Sequence, residues 1–385
     1  MKVLHYCDAF SRLSQTFIYD VIVELDRAKV DNVVVAVKIL NLEDRPFRRV
    51  LKLTSSWSDM LDKVFKKALE QTGLSSYDWE RETLRIKQNS FYSILKTEQP
   101  DVIHAHFGTH GSIILPSAKR LSVPVVVSFH GFDAFQLPNL PGWMEKLEAV
   151  FNQAAAITVV SQFMKFHLVK LGCPSEKLHV VHVGKKMRDY NFRRTFNLPI
   201  KNFLSIGRLA EKKGHADIIK AFHSLSVEFP NLTLKIIGEG PLKEDLRMLI
   251  TSLDMEKRVE ILGAKSHAQT KNYLAAADAF ILCSKVAGDG DMEGIPTVLM
   301  EAQCMGLPCV SSFHSGIPEV IPMPNYWTLA KEGDTVSIAS KIRELLICPI
   351  ELLNDATLLA RQKMEEEFNL ETEVEILKAL YKKVV

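Results

Sequence analysis

Apolar residues along this chain fall into two kinds of run, and the two kinds alternate. KVLHYC (2–7), NVVVAVKIL (32–40), PDVIHAHF (100–107), VPVVVSFH (123–130), AAITVVSQ (155–162) and LHVVHVG (178–184) are short, rich in Val and Ile, and nearly continuous. TFIYDVIVELDRA (16–28) instead spaces its apolar positions at helical intervals, with Ser14 placed to cap it. Strands that are apolar on both sides and separated by helices predict a parallel sheet covered on both faces.

The pattern then repeats. NFLSIG (202–207), NLTLKIIG (231–238), RVEILG (258–263), DAFILCS (278–284) and LPCVSS (307–312) predict strands, and HADIIKAFHSLSVEF (215–229) a helix. The stretch 185–201 is polar, lacks a helical period, carries Pro199 near its end and reads as a linker. Two helices are expected after Pro349, the last over 370–383. The reading is therefore α/β: a doubly wound domain over 1–184, a linker over 185–201, a second doubly wound domain over 202–349, and helices over 350–385 packing back towards the first. A length of 385 residues agrees, because single cores stop growing beyond about 250–300 residues. In such sheets ligands bind outside the carboxyl ends of the strands, and two facing domains make the cleft between them the expected site.

Composition adds exclusions. Hydrophobic content of 47% and charged content of 24% fit a soluble globular chain, and no apolar run nears the roughly 20 residues that span a bilayer. The start, MKVLHYCDAF, goes directly into a strand pattern without signal-peptide architecture, and six scattered cysteines form no C-x-x-C pair. A cytoplasmic protein with reduced thiols is expected. Residues 1–190 hold 25 Lys and Arg against 20 Asp and Glu, a charge of +5, while residues 191–385 hold 23 against 26, a charge of −3. The basic half suits an anionic partner. Lys63, Lys66 and Lys67 flank an apolar side on the helix pattern at 58–73, and Arg45, Arg48, Arg49 and Lys52 precede it. Region 45–73 is thus expected to rest on anionic lipid at the inner face of a membrane, with an ordinary core helix as the alternative. No basic run is interleaved with aromatics, which excludes nucleic acid as a partner.

The residues after each strand carry the candidate chemistry. Gly207 and Arg208 follow the strand at 202–207, and Lys213 stands where the next helix starts. A guanidinium and an ammonium beside helix-start amides predict a diphosphate pocket, against the alternative of two surface cations. Gly238 and Gly240 allow close backbone approach to a ligand, or mark a plain tight turn with Pro241 near its first helical position. EGIPTVLMEAQCMG (293–306) predicts a helix over 296–305, with Pro296 at its first position and Gly306 past its last turn. Glu301 then falls among Val298, Leu299, Met300 and Ala302, where a carboxylate needs donors. The vicinal hydroxyls of a ribose supply them. Glu293, with the amides of Gly294 and Ile295, is placed to hold a sugar. A glycosidase-like acid and base pair is the competing reading of the two carboxylates.

Asp289-Gly290-Asp291 invites a metal–diphosphate bridge, but Arg208 and Lys213 already meet that charge, so an acidic loop is expected and no metal. His104, His106 and His110 invite zinc, yet no carboxylate or cysteine stands at ligand spacing near them. His104 reads as a packed or hydrogen-bonded strand residue, and His130 as a donor to a sugar hydroxyl. Ser14, Gln15, Thr16 and His106 are the candidates for the acceptor, Ser14 also as a plain cap.

GRLAEKKG (207–214), IIGEGPL (236–242), EGIPTVLMEAQCMGLPCVSS (293–312) and SGIPEVI (315–321) together resemble the donor domain of family 4 glycosyltransferases, which have the GT-B fold. LSQTFI (13–18), DVIHAHFG (101–108) and SFHGFD (128–133) extend the resemblance to the acceptor domain. The motifs are similar to those of the branch making bacterial exopolysaccharides such as colanic acid or amylovoran. The resemblance implies retaining transfer from a nucleoside diphosphate sugar to a saccharide or lipid-linked saccharide, with no cofactor or obligatory metal. It gives Arg208 and Lys213 the leaving diphosphate and Glu301 the ribose. Glu293, with the backbone of Gly294, Ile295, Pro296 and Thr297 as the family pattern runs, takes the donor sugar, and His130 a contact near its anomeric centre. Two rival readings remain: a sugar-nucleotide epimerase on the same fold, which needs no acceptor, and a non-catalytic sugar-nucleotide-binding subunit.

Overall fold

The computed structural model describes residues 1–12, 15–53, 76–193 and 198–385. Two parallel sheets organise them. The first runs β3-β2-β1-β4-β5-β6-β7, built from β1 (Lys2–Phe10), β2 (Asp31–Ile39), β3 (Val50–Lys52), β4 (Val102–His106), β5 (Val125–Phe129), β6 (Ala156–Val159) and β7 (Leu178–Val180). The second runs β10-β9-β8-β11-β12-β13, built from β8 (Asn202–Ile206), β9 (Thr233–Ile237), β10 (Val259–Gly263), β11 (Ala279–Leu282), β12 (Cys309–Ser312) and β13 (Leu329–Ala330). In both, the order reverses beside the first strand, which makes β1/β4 and β8/β11 the switch points where doubly wound sheets take ligands.

Near-continuous apolar strands follow from this burial. Every residue of β4, β5, β6, β11 and β12 is buried. β3 and β13 lie at sheet edges and are short, which is why the apolar pattern did not announce them.

The chain divides into two compact units. One holds residues 1–160, 165–181 and 371–385, and the other residues 161–164 and 182–370. The described part of 185–201, read as a linker, falls in the second unit, as does the helix Ile350–Glu367. From Glu371 onward the helix Leu370–Val384 belongs to the first unit, where Tyr381 is buried and its hydroxyl lies 2.6 Å from Nδ1 of His104.

Local details correct two sequence expectations. The helix after β11 spans Thr297–Cys304, and Pro296 is its extended N-cap rather than its first helical residue. The turn residue Pro241 stands before the N-cap Leu242 of the helix Lys243–Ser252, not at its first position. Gly306 does sit past the last turn, with φ of +77°. The helix Thr16–Arg27 has Gln15 at its cap position without a side-chain cap bond, and Ser14 lies outside the described residues.

Candidate active site

The loop after β8 sets the geometry of the second unit's site. Arg208 is exposed, and its guanidinium has no ion pair among the described residues. Three residues of 3₁₀-helix, Glu211–Lys213, return the chain to Gly214, whose left-handed φ of +68° caps the helix His215–Leu225. A side chain at Gly214 would run into the Cys283 carbonyl, so only glycine turns this corner.

The glycines of the neighbouring loop have a structural reason that sequence reading did not find. A Cβ on Gly238, at φ of +153°, would meet the Gly207 carbonyl, and one on Gly240 would meet the Leu209 backbone. The close approach they permit is to the chain's own strand-end loop. Gly207 itself packs on the Lys213 stem: a Cβ there would lie 3.2 Å from Cδ.

Lys213 reaches across to the loop before the helix Thr297–Cys304, where its Nζ lies 2.7 Å from Oε1 of Glu293. Burial pushes the Glu293 carboxyl up, but the Lys213 and Lys212 ammonium groups outweigh it and leave the carboxyl below its ordinary range. The Glu293 backbone is held as well. Its N–H donates to Nε2 of His314 at 3.4 Å, and its carbonyl accepts from the Ser315 hydroxyl at 2.6 Å. Nδ1 of His314 lies 2.8 Å from Glu332, so the ring donates on one side and accepts on the other. A Cβ on Gly316 would stand 2.8 Å from the Gly294 carbonyl and 3.0 Å from Ile295. The turn that presents these amides at the helix start is therefore fixed on three sides.

The second carboxylate takes a different partner. Glu301 is buried, and its Oε1 lies 2.5 Å from Nζ of Lys185. The premise that Glu301 needs a donor holds, and the protein itself supplies one. Asp291, from the suspected metal motif, also has a cation: Nζ of Lys212 lies 3.0 Å and 2.9 Å from its two oxygens.

The first unit gathers histidines along β1 and β4 and just after β5. Nδ1 of His5 lies 3.2 Å from Nε2 of His106, and Nε2 of His5 lies 3.1 Å from the Asn32 amide oxygen. His104 bridges Tyr381 and Ser128. His5, His104 and His106 are close enough together to invite a metal ion, but hydrogen bonds already engage both ring nitrogens of His5 and His104. The reading of His104 as a hydrogen-bonded strand residue is what the structure shows. His106, a candidate for the acceptor, is 2% exposed and faces His5.

His130 differs from them. It follows β5, and neither of its ring nitrogens has a partner among the described residues. Burial, with a smaller push from His110, lowers it to about 3, so the ring is neutral. Its backbone is anchored by Asp133, which sequence reading missed. Asp133 accepts from the N–H groups of His130, Gly131 and Gly108 at 2.9, 3.1 and 2.9 Å, tying the loops after β4 and β5 together. Thr16 opens its helix as expected, and Gln15 takes the cap position expected of Ser14.

In region 45–73, residues 54–73 lie outside the described ones. Of the arginines before them, Arg48 pairs with Asp26 at 2.9 Å, and Arg49 with Asp31 and Glu98 at 3.0 and 2.6 Å. Their charge is met within the protein. Among the described residues no helix is long and apolar enough to cross a membrane.

Two parallel sheets wrapped by helices, the first with a histidine cluster and the second with paired lysines and carboxylates, define the two-unit α/β architecture of the GT-B enzymes. Comparison with known proteins carries this further. Residues 14–184 match the family described as Glycosyltransferase Family 4, and residues 188–363 the one described as Glycosyl transferases group 1. The amylovoran biosynthesis glycosyltransferase AmsK of Erwinia amylovora is 37% identical over 273 residues, which cover 70% of this chain and 67% of that protein. The UDP-Gal:alpha-D-GlcNAc-diphosphoundecaprenol alpha-1,3-galactosyltransferase of Escherichia coli is 26% identical over 315 residues, covering 76% and 78%. Among solved structures, Anabaena Alr3699/HepE in complex with UDP and glucose superimposes over the whole of both chains, with a TM-score of 0.76 at 16% identity. This chain belongs to the group 1 and family 4 glycosyltransferases.

Proposed function

We propose that this glycosyltransferase moves a hexose from a nucleoside diphosphate sugar, with retention and without a metal, to a growing saccharide of bacterial exopolysaccharide, capsule or lipopolysaccharide. The observation that carries the reading is the pairing at the end of β8. Arg208 stands exposed there, and Lys213 lies 2.7 Å from Glu293, beside the start of the helix Thr297–Cys304. Breaking an anomeric bond leaves charge on the diphosphate, and fixed cations at that point stabilise it. Arg208 and Lys213 take this role, Glu293 and the N–H groups of Gly294, Ile295 and Thr297 hold the sugar, and Glu301 holds the ribose. Gly207, Gly238 and Gly240 shape the backbone around them. His130, neutral and with both ring nitrogens unpartnered among the described residues, is the contact near the anomeric centre.

The acceptor is a saccharide carried on lipid, which Gln15, Thr16, Ser14 and His106 are the candidates to meet. Support comes from a relative whose name specifies a diphosphoundecaprenol acceptor. The place of work is then the cytoplasmic face of a membrane, reached peripherally.

A thermal-shift screen against UDP-, GDP- and ADP-sugars selects the donor, since a ligand at 100 times its Kd stabilises by about 2.7 kcal/mol. Release of nucleotide from that donor is then followed with and without a lipid-linked saccharide. Acceptor-dependent release, lost when Arg208 and Lys213 are both replaced by alanine, supports the reading. Turnover without acceptor, or an unchanged rate in the double variant, overturns it.

A further inference from the structure

The linker-like stretch after β7 holds a lysine that no motif of the donor site includes. Lys185 is 6% exposed, and its Nζ lies 2.5 Å from Oε1 of Glu301, which is 5% exposed. The lysine backbone is held as firmly as its side chain. Its N–H donates to the Phe368 carbonyl at 2.8 Å, and its carbonyl accepts from the Leu370 N–H at 3.0 Å, making an isolated parallel bridge with Asn369. Gly184 permits this, because a Cβ there would strike the Leu370 backbone. The junction of the helices Ile350–Glu367 and Leu370–Val384 thus fixes where the ammonium group sits.

We propose that Lys185 is a positioning residue for ribose recognition: its ammonium holds Oε1 of Glu301 and turns the carboxylate so that Oε2 is left for the ribose hydroxyls. The proposal rests on the reading of Glu301 as the ribose ligand. A charge-assisted hydrogen bond to one carboxylate oxygen fixes the direction of the other, so hydroxyl donors meet an acceptor of set geometry. The mobile four-carbon stem of a lysine would hold no fixed geometry by itself; the backbone bridge at 184–185 supplies what the stem lacks. Glu301 and Glu293 therefore have separate cations, Lys185 and Lys213, so the carboxylate read as the ribose ligand keeps its partner whatever Lys213 does with the diphosphate.

The experiment compares binding of UDP, GDP and ADP with binding of the 2′,3′-dideoxy form of each, by calorimetry on the full chain. For the nucleotide that binds best, the parent is expected to prefer the ribose form by about 10- to 100-fold, the worth of charge-assisted hydrogen bonds to two hydroxyls. In Lys185→Met the preference falls to within about threefold, and donor KM rises by about tenfold or more while kcat stays within about threefold. Lys185→Arg keeps the charge but moves the donor, so the preference falls only in part. A full preference in Lys185→Met, with or without a lowered Tm, overturns the proposal and leaves the lysine a structural ion pair. If Lys185→Met does not fold, a parental preference in Lys185→Arg overturns it equally. Glu301→Gln separates the two layers: should it keep the full ribose preference, the reading of Glu301 itself fails, whereas loss there with retention in the lysine variants sinks the positioning role alone.

Discussion

Nζ of Lys213 and Oε1 of Glu293 are 2.7 Å apart, and 13% and 9% of the two side chains are exposed. One of the two cations assigned to the leaving diphosphate is therefore already shared with a carboxylate of the donor site. Arg208 is the other, exposed and without an ion pair among the described residues. In the role proposed for them, the two cations would meet an arriving diphosphate from different starting points. Arg208 gives up mainly water, whereas Lys213 must loosen or share its hold on Glu293.

Removing them should therefore have different consequences. Arg208→Ala is expected to leave stability within about 0.5 kcal/mol and to slow transfer by about 10²- to 10³-fold, as loss of one charge-stabilising group does. Lys213→Ala should slow transfer comparably and also destabilise the fold by about 1–3 kcal/mol, because Glu293 is left buried without its nearest cation. Urea unfolding and donor-dependent nucleotide release measure the two quantities. Equal stabilities for the two variants would show that the Lys213–Glu293 pair contributes nothing to the fold.

Buried histidines make a prediction about acid. Burial is the main cause lowering His5, His110 and His215 to about 4 and His130 to about 3, and it holds His104 and His106 well below 6.5. Unfolded, each takes up a proton near pH 6.5, while the native chain does not. Stability present above that value is lost as pH falls from about 6.5 towards 4, at up to about 1.4 kcal/mol per unit for each group. The midpoint of urea unfolding should drop steeply between pH 7 and pH 5. A midpoint that stays level across that range would contradict the buried, neutral state of these rings.

Much of this was legible in the chain, for identifiable reasons. Strands apolar on both faces announce a covered parallel sheet, and the residue after such a strand is close to the ligand wherever the sheet leads. The candidates Arg208, Lys213 and Glu293 were picked out that way. Lys185, His314, Glu332 and Asp133 were not, because each acts on a residue distant in sequence: 116 positions separate Lys185 from Glu301, and 25 separate Asp133 from Gly108. Spacing within one segment carries no trace of such pairs. The glycines at 238 and 240 show the opposite case. Their motif was visible, but the backbone they admit is that of Gly207 and Leu209, which only the sheet order brings alongside.

The Asp289-Gly290-Asp291 stretch bears on metal dependence. Binding Mg²⁺ or Mn²⁺ as a diphosphate bridge requires carboxylate oxygens that are free to coordinate. In Asp291 both oxygens face Nζ of Lys212 at 3.0 and 2.9 Å, and the ammonium also reaches the Met292 carbonyl. An Asp289 oxygen accepts the Asp291 N–H at 3.0 Å, folding the loop on itself. A cation entering here would have to displace a lysine that already balances the charge. Transfer is accordingly expected to keep its rate, within about twofold, in excess EDTA. Asp291→Asn should change donor KM by less than about threefold, since the carboxylate holds a lysine rather than the donor. Loss of activity in EDTA, restored by added Mn²⁺, would mean that Lys212 yields its place and that a metal supplies part of the charge assigned to Arg208 and Lys213.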